Sequence, residues 1–416
     1  MTTSSTESAA LSIPDLTDQR TFAEEIPHAA FARMRELPGL YWQPTTFSTT
    51  NGGFWAVTRY ADIDALEKDV ETFTSTRGAA YPVMSSGPIE FDNKDGLMLN
   101  DPPEHTRLRR AAAKGFSNSV VVNFRPWITE IVREQIDRVT GQDEFDAVKE
   151  FAETIPAYVI ARVMGVPRED RPRMVAWVRA IFAATQQTAG LAEDDSALAN
   201  MVPLLAEVGA YAAQIQEIKR THPADDMFTA LTGCVERGEI TQNEFLQWIF
   251  TMMAAGYETT HTTIAHAVRM YLEDPEVREA TDRALDEGTT DRAINEYVRL
   301  ITPVMQMGRT ATRDVEFAGE QIRENDVMVL YYSAANRDPA VFAEPDRFNP
   351  WRTEKGHLAF GTGVHRCIGL SLAKLEVQIL FEELRSAGLH LRLNGTPRRG
   401  WSNFINQLIE LPVAQG

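Results

Sequence analysis

The chain has 416 residues, and 44% of them are hydrophobic, which is enough for a large buried core. Its formal net charge is −18, and this argues against a nucleic acid partner, because phosphate binding needs clustered positive charge. The two cysteines, Cys234 and Cys367, match no zinc or disulfide spacing. A disulfide between them stays open, but a reduced and cytoplasmic setting is the better prediction.

The sequence predicts neither a signal peptide nor a membrane span. Residues 1–15 are polar and rich in small side chains, so we expect a loose terminus there. No stretch approaches about 18 apolar residues without a charge. Because no change of composition divides the remainder, we predict one domain over residues 16–416, and we expect a monomer.

In chain order, hydrophobic periodicity predicts a mainly α-helical chain with small β-sheets, an α+β fold. Helices are predicted over residues 29–35, 60–68, 120–139, 151–164, 172–189, 199–222, 225–236, 241–273, 291–300 and 370–385. Strands are predicted over residues 54–57, 315–317, 327–331, 389–393 and 407–411, with the last two as a pair. Residues 76–98 contain scattered glycine and proline and predict a long loop, a feature that is often functional.

The longest predicted helix covers residues 241–273. Thr241 is a candidate N-cap, and Glu244 three residues later completes a capping box. The middle of the helix is apolar nearly all round, so we expect it to run through the body of the protein. Gly256 and Thr259 lie inside it and predict a local widening, because a threonine can bond the carbonyl four residues before it.

Residues 360–369 read Phe-Gly-Thr-Gly-Val-His-Arg-Cys-Ile-Gly and lie directly before a predicted helix. Glycine removes side chains where a backbone must approach something bulky, and Phe360 offers a flat apolar surface. A helix N-terminus and the adjacent Arg366 favour a thiolate at Cys367. A flat, anionic, metal-centred ligand would fit this loop. A glycine turn with a small buried cysteine is the alternative.

The whole string FGxGxHxCxG resembles the haem-binding loop of the cytochrome P-450 family. The resemblance implies that family's fold, in which one large domain encloses the haem and a long central I-helix crosses it. It also implies heme b as cofactor, with Cys367 as the ligand of the iron and with Phe360, Gly361 and Gly369 against the haem. Thiolate ligation pushes electron density onto the iron and favours O–O cleavage. The implied activity is a monooxygenase that uses O2 as co-substrate.

The string AGYETT, residues 255–260, lies in the middle of the long helix, where buried polar groups need partners. By itself it could be a solvent-facing polar segment. It resembles the acid–alcohol motif of the family's I-helix. The resemblance implies that Ala255 lies against the haem, that Thr259 holds the bound oxygen by a hydrogen bond, and that Glu258 relays protons from bulk water.

Two further groups of charged residues resemble family motifs. An acid and an arginine three residues apart on a helix are usually a weak surface pair. Here Glu296 and Arg299 resemble the family's Glu-x-x-Arg, and the resemblance implies that they interlock with Arg347 to brace the haem loop. Propionates need donors, and arginine suits carboxylates. The resemblance implies that one propionate is held by His105 and Arg109, and the other by Arg309 and His365.

The resemblance also implies an apolar substrate pocket with few polar anchors. Its candidate lining residues are Val83, Met84, Phe182, Met252, Ala255, Val304, Met305 and Phe404. Methionine adapts to irregular shapes, and this favours a mid-sized hydrophobic substrate such as a terpenoid, a steroid or a fatty acid. An atypical outcome, such as ring coupling or demethylation, stays open.

The sequence shows no flavin or nicotinamide fingerprint, so electrons must come from a separate partner. We expect an acidic ferredoxin with its NAD(P)H-dependent reductase. The docking face should then be locally basic, with Arg107, Arg110, Lys114, Arg352, Lys355, Arg366 and Lys374 as candidates. A peroxide-driven peroxygenase and a non-catalytic haem sensor are the alternatives. Glu258 and Thr259 argue against both, because neither needs a proton relay.

Overall fold

The computed structural model describes residues 13–45, 49–79, 95–190 and 195–416, and it describes side chains within these ranges except at 182–190 and 195–201. The α-helices are α1 (His28–Arg35), α2 (Tyr60–Leu66), α3 (Glu104–Ala113), α4 (Asn118–Val121), α5 (Arg125–Val139), α6 (Thr154–Met164), α7 (Arg171–Gly190), α8 (Asp195–Thr221), α9 (Met227–Glu236), α10 (Gln242–Glu273), α11 (Pro275–Asp286), α12 (Thr290–Ile301), α13 (Tyr332–Ala335) and α14 (Leu370–Ser386). Among the helices of these ranges, none combines the length and hydropathy needed to cross a membrane.

The strands are β1 (Tyr41–Pro44), β2 (Gly53–Val57), β3 (Phe73–Thr74), β4 (Glu144–Asp146), β5 (Gln306–Ala311), β6 (Val315–Phe317), β7 (Glu320–Ile322), β8 (Val327–Tyr331), β9 (Leu391–Leu393), β10 (Arg398–Arg399), β11 (Leu408–Glu410) and β12 (Pro412–Gln415). The largest sheet has the order β1-β2-β8-β5-β3, in which only β2 and β8 are parallel. The predicted mainly helical fold with small sheets is therefore confirmed.

Helix α10 is the long buried helix that the sequence predicted. The Thr241 hydroxyl accepts the Glu244 N–H at 3.2 Å, and the Glu244 carboxylate accepts the Thr241 N–H at 2.7 Å, so the capping box is confirmed. The helix contacts α6, α11, α12 and α14, and these contacts bury its apolar faces in the main core. Its central position places the AGYETT segment inside the protein.

Several elements differ from the sequence prediction. The strands predicted over 389–393 and 407–411 are present as β9 and β11, but they do not pair with each other, because β9 pairs with β12 and β11 pairs with β10. The predicted helix 120–139 is divided into α4, a 3-10 turn and α5. Helix α11 and strand β5 were not predicted. Strand β5 is the one that carries Arg309, and its two neighbours β8 and β3 cover both of its edges.

A buried ion-pair network holds the segment that leads to the Cys367 loop. Arg299 pairs with Glu296 through two hydrogen bonds of 2.8 and 2.7 Å, and both side chains are at most 5% exposed. Arg299 also donates to the carbonyl oxygens of Asn336 and Pro345, each at 2.7 Å. The network therefore fixes the backbone between α13 and the Cys367 loop.

The prediction that Arg347 completes this network is wrong. The second arginine on Glu296 is Arg352, whose Nε lies 2.8 Å from Oε1 of Glu296 and whose side chain is 9% exposed. The Arg347 side chain is 59% exposed and faces Glu276 and Glu344 at 3.9 and 3.6 Å. Only the backbone carbonyl of Arg347 takes part, as an acceptor for Arg299 and Arg352.

We predict different costs for removing these two arginines. Arg352→Ala leaves the buried Glu296 carboxylate short of a partner, which should lower the free energy of unfolding by about 3–5 kcal/mol. Arg347→Ala, the matched control, should change it by less than about 0.5 kcal/mol, because its side chain lies at the surface. Chemical denaturation of both variants checks this, and equal losses would contradict the assignment of Arg352.

Candidate active site

The loop that carries Cys367 is shaped by its glycines. Gly361 and Gly363 have φ angles of +64° and +63°, which side chains other than glycine rarely adopt. A Cβ on Gly363 would also lie 2.6 Å from the backbone oxygen of Glu67, so the loop is pressed against the end of α2. The Cys367 N–H donates to the Phe360 carbonyl at 2.8 Å and closes the loop directly before α14.

The Cys367 side chain borders a cleft. The side chain is exposed, although protein atoms lie close to it on most sides. A side chain that lines a cleft has both properties. A cleft of about 360 Å³ is lined by Arg109, Ala113, Phe116, Ser117, Asn118, Arg366, Cys367, Ile368, Leu370 and Ser371.

Opposing effects act on the thiol of Cys367. Burial raises its pKa, and this is the largest effect. The N–H groups of Gly369 and Leu370 at the start of α14 act to lower the pKa, as do the positive charges of Arg109 and Arg366. The predicted preference for a thiolate therefore exists, but burial outweighs it unless a positive charge such as a metal ion lies on the sulfur.

The middle of α10 does not widen as predicted, and all of its residues are described as continuous α-helix. The Thr259 hydroxyl donates to the Ala255 carbonyl at 2.8 Å, as the sequence suggested. Gly256 has a packing role instead, because a Cβ there would lie 2.9 Å from Cδ1 of Ile160 on α6. Ala254 and Ala255 are exposed although their helix is buried, so this face of α10 also borders an open space.

Glu258 is a buried acid, 8% exposed. Its Oε1 accepts a hydrogen bond of 3.1 Å from the side-chain amide of Gln407, a partner that the sequence analysis missed. Oε2 has no hydrogen-bond partner among the described residues. Burial raises the pKa of Glu258 to about 8, and the Gln407 bond only partly opposes this. The carboxyl group therefore carries a proton at neutral pH.

The four predicted propionate ligands lie around the Cys367 loop. The rings of His105 and His365 are 4.3 Å apart, and Arg109 donates to the Arg366 carbonyl at 2.7 Å. Nε of the buried Arg309 and Nε2 of the buried His105 have no hydrogen-bond partner within the described ranges. Such orphaned buried donors indicate a missing acceptor.

Two acids that the sequence analysis missed lie beside His365 and Arg309. Asp101 lies 3.6 Å from Nε2 of His365, and Glu67 lies 3.2 Å from Nη2 of Arg309. Asp101 lies shortly before α3, but nothing in the sequence marks Glu67. Burial lowers the pKa of His105 to about 4, so this imidazole is neutral at pH 7.

The predicted pocket residues fall into three groups. Val83 and Met84 lie outside the described residues, and so does the side chain of Phe182. Met305 is fully buried in a cluster with Phe31, Phe54 and other core residues, so its assignment to the pocket is wrong. Met252 is buried in the main core, whereas Val304 and Phe404 are half-buried and come together where Val304 pairs with Ile405.

The residues present fit a haem. A thiol faces a cleft, the small residues Ala254 and Ala255 of α10 border open space, and two buried nitrogen atoms, Nε2 of His105 and Nε of Arg309, have no partner among the described residues and could bind an anion. Cys367 would hold the iron, while His105, Arg109, Arg309 and His365 would hold the propionates. These ligand roles are proposals that rest on the resemblance and on this arrangement.

Comparisons with known proteins identify the family. The sequence model of the family described as cytochrome P450 matches residues 53–384. A steroid C26-monooxygenase of Rhodococcus jostii (strain RHA1) is 30% identical over 410 residues, which cover 96% of this chain and 84% of the relative. Linalool 8-monooxygenase of Pseudomonas putida is 27% identical over 96% of this chain and 98% of its own. The solved structure of a myxobacterial cytochrome P450 in complex with myristic acid has a TM-score of 0.83 and 28% identity, over 97% of this chain and 100% of that one.

We predict that Cys367→Ala abolishes thiolate ligation. The reduced wild-type protein with carbon monoxide should show a strongly red-shifted Soret band, because the thiolate donates electron density to the iron. The variant should lack this band. Absorption spectra of both proteins, with Cys234→Ala as the matched control, decide the matter. A histidine-type band that the Cys367 substitution leaves unchanged would contradict the assignment of Cys367 as the ligand of the iron.

Glu258 should make the free energy of unfolding depend on pH. Its folded pKa, about 8, lies above its ordinary value of 4.5, so burial favours the protonated form. The protonated Glu258 therefore contributes fully to the free energy of unfolding below about pH 4.5, and this contribution is lost as the pH rises through about 8. Glu258→Gln mimics the protonated acid and should remove this dependence.

Denaturation between about pH 5 and pH 9 checks this expectation. The wild type should lose stability relative to Glu258→Gln as the pH rises. Infrared difference spectra of the two proteins should show a protonated carboxyl group at pH 7. Parallel stability curves, together with no such band, would show that Glu258 is ionised.

Proposed function

The chain belongs to the cytochrome P450 family and is a monooxygenase with haem b as cofactor and O2 as co-substrate, and we propose that it hydroxylates a mid-sized hydrophobic molecule with electrons from a separate ferredoxin. The observation that carries the proposal is the Cys367 thiol, which is exposed to a cleft and lies on a loop braced by buried charge. When bound, the haem supplies oxygen activation and transfer of one oxygen atom to a C–H bond.

The protein's own residues would supply ligation and protons. Cys367 would ligate the iron as a thiolate. Glu258 carries a proton at neutral pH, because burial raises its pKa to about 8, and it lies directly before Thr259 on α10. We infer that Glu258 delivers protons and that the half-buried Thr259 hydroxyl positions them beside the oxygen.

Three observations support a hydrophobic substrate of the terpenoid, steroid or fatty acid class. One relative is named for a steroid and another for linalool. A similar solved structure holds myristic acid. In this chain, Ala255 on α10 faces open space, and Val304 and Phe404 are half-buried apolar residues that could line a pocket. Hydroxylation of such a molecule is the reaction that we propose.

The electron donor should be an acidic ferredoxin with an NAD(P)H-dependent reductase, and the setting cytoplasmic. Of the predicted docking cations, Arg110, Lys114, Lys355 and Arg366 are exposed. Arg352 is not available for docking, because it is committed to Glu296. Arg107 is bound to Glu104 and Glu244, and Lys374 is half-buried. The exposed cations lie on α3, just after it, and on or near the Cys367 loop, which places positive charge close to the thiol.

Turnover tests the proposed function. A panel of terpenoids, steroids and fatty acids is first screened for a spin-state shift, and binders are then incubated with ferredoxin, reductase and NADH or with peroxide alone. We expect oxygenated product only with the electron-transfer partners. Thr259→Ala should lower the product formed per NADH by roughly 10-fold or more, in line with the size of general acid–base effects. Thr263→Ala, whose hydroxyl also bonds a carbonyl four residues before it, is the matched control.

Either of two outcomes would contradict the proposal. Product formed with peroxide alone, at a rate that Thr259→Ala leaves unchanged, would identify a peroxygenase. Haem binding with no oxidation under any condition would favour a sensor.

Reversing the charge of Arg110 should weaken ferredoxin docking. Attraction between an acidic partner and exposed cations accelerates association and is screened by salt. Arg110→Glu should raise the KM for ferredoxin several-fold at low salt and leave kcat for the bound complex nearly unchanged. Arg138→Glu, an exposed charge near the far end of α5, is the control. Equal KM values for the two variants would remove Arg110 from the docking surface.

A further inference from the structure

Glu67 is a buried carboxylate that no part of the predicted haem site includes. It is the C-cap residue of α2 and is 2% exposed. Its Oε1 accepts a hydrogen bond of 2.6 Å from the Tyr332 hydroxyl and one of 3.2 Å from Nη2 of Arg309. Its Oε2 accepts the N–H of Thr362 at 2.8 Å. One side chain therefore joins α13, β5 and the Cys367 loop.

A carboxylate in this position is costly to bury and needs partners that stabilise its charge. Burial raises the pKa of Glu67, and the C-terminal end of a helix disfavours a negative charge. The positive charge of Arg309 and the bonds from Tyr332 and Thr362 act in the opposite direction. Arg309 is itself 2% exposed and would be equally costly without an anion. Each buried charge thus depends on the other.

The backbone at Glu67 also touches the loop. A Cβ on Gly363 would lie 2.6 Å from the Glu67 carbonyl oxygen, and a Cβ on Gly361 would lie 3.5 Å from its Oε1. The first distance is too short for any side chain, and the second is an ordinary contact. The end of α2 therefore fixes the position of the Cys367 loop through both its backbone and its carboxylate.

Arg309 keeps donor capacity for a second anion. Its Nη1 donates to the Gly308 carbonyl at 2.7 Å and its Nη2 to Glu67, while its Nε–H has no partner among the described residues. A guanidinium has five N–H donors, so it can bind two carboxylates. A haem propionate on Arg309 would then share one positive charge with Glu67.

We propose that Glu67 is a positioning residue for the haem, which fixes Arg309 and the Cys367 loop and would share the charge of Arg309 with a propionate, so that one negative charge of the pair is left without a counter-charge and lowers the reduction potential of the iron. The proposal rests on haem binding by this site. A negative charge near the metal disfavours the addition of an electron, and this effect is strong where water is excluded. The propionate edge is thus where this chain adjusts how easily the iron is reduced.

The test is a spectroelectrochemical titration of the substrate-free holoprotein and of Glu67→Gln. Glutamine keeps the size of the side chain and an acceptor oxygen but removes the charge. We expect a normal thiolate Soret band and a higher potential, equivalent to about a threefold to tenfold larger equilibrium constant for reduction, where tenfold is about 59 mV for one electron. Glu71→Gln, an exposed acid four residues along the chain, should not shift the potential. An unchanged potential in Glu67→Gln would overturn the proposal.

Tyr332→Phe gives a second, independent answer. It removes one donor from Glu67 and keeps the charge, so the carboxylate is less neutralised and the potential should fall. If Glu67→Gln does not accumulate with haem, this variant decides: a fall supports the proposal, and an unchanged or higher potential overturns it.

These titrations need neither substrate nor ferredoxin. A shifted potential in a protein that oxidises no substrate would support the role of Glu67 and contradict the proposed function. An unchanged potential in a protein that does oxidise a substrate would support the proposed function and contradict the role of Glu67.

Discussion

The buried pairing of Glu296 with Arg299 and Arg352 is the interaction on which the site depends. Loops lack the repeating hydrogen bonds of helices and sheets. A loop can therefore hold a cysteine in a fixed position only if other contacts fix its backbone. In this chain the two arginines donate to the backbone carbonyl oxygens of the segment before the loop. Charge that is costly to bury is thereby used to order a segment without regular structure.

The parts of the site that the sequence predicted are local. The Cys367 loop can be predicted from the sequence, because its glycines, the cysteine and the start of the next helix lie within ten residues of each other. The Thr241 and Glu244 capping box and the Glu296–Arg299 pair likewise depend on spacings of three residues along a helix. In each case the periodicity of the helix fixes which side chains meet.

The parts that the sequence could not predict are contacts between distant residues. Both Arg347 and Arg352 follow α12 at plausible distances, and spacing does not reveal which side chain turns inward. Strand pairing failed for the same reason, because β9 and β11 each found a partner outside the predicted pair. Glu67 and Gln407 have no local sequence signal, because each one's hydrogen-bond partner in the site lies more than 140 positions away in the chain.

The final strand has a consequence for protein engineering. Strand β12 lies between β4 and β9, and the N–H of Gly416 bonds the His390 carbonyl at 2.8 Å. A reductase domain or an affinity tag fused directly after Gly416 would therefore start from ordered, hydrogen-bonded backbone. Its linker must be long and flexible enough to leave β12 undisturbed. Otherwise the fused segment would distort the sheet that β12 forms with β4 and β9. Strand β12 directly follows β11 in the chain, and Gln407, which bonds Glu258 on α10, lies next to β11.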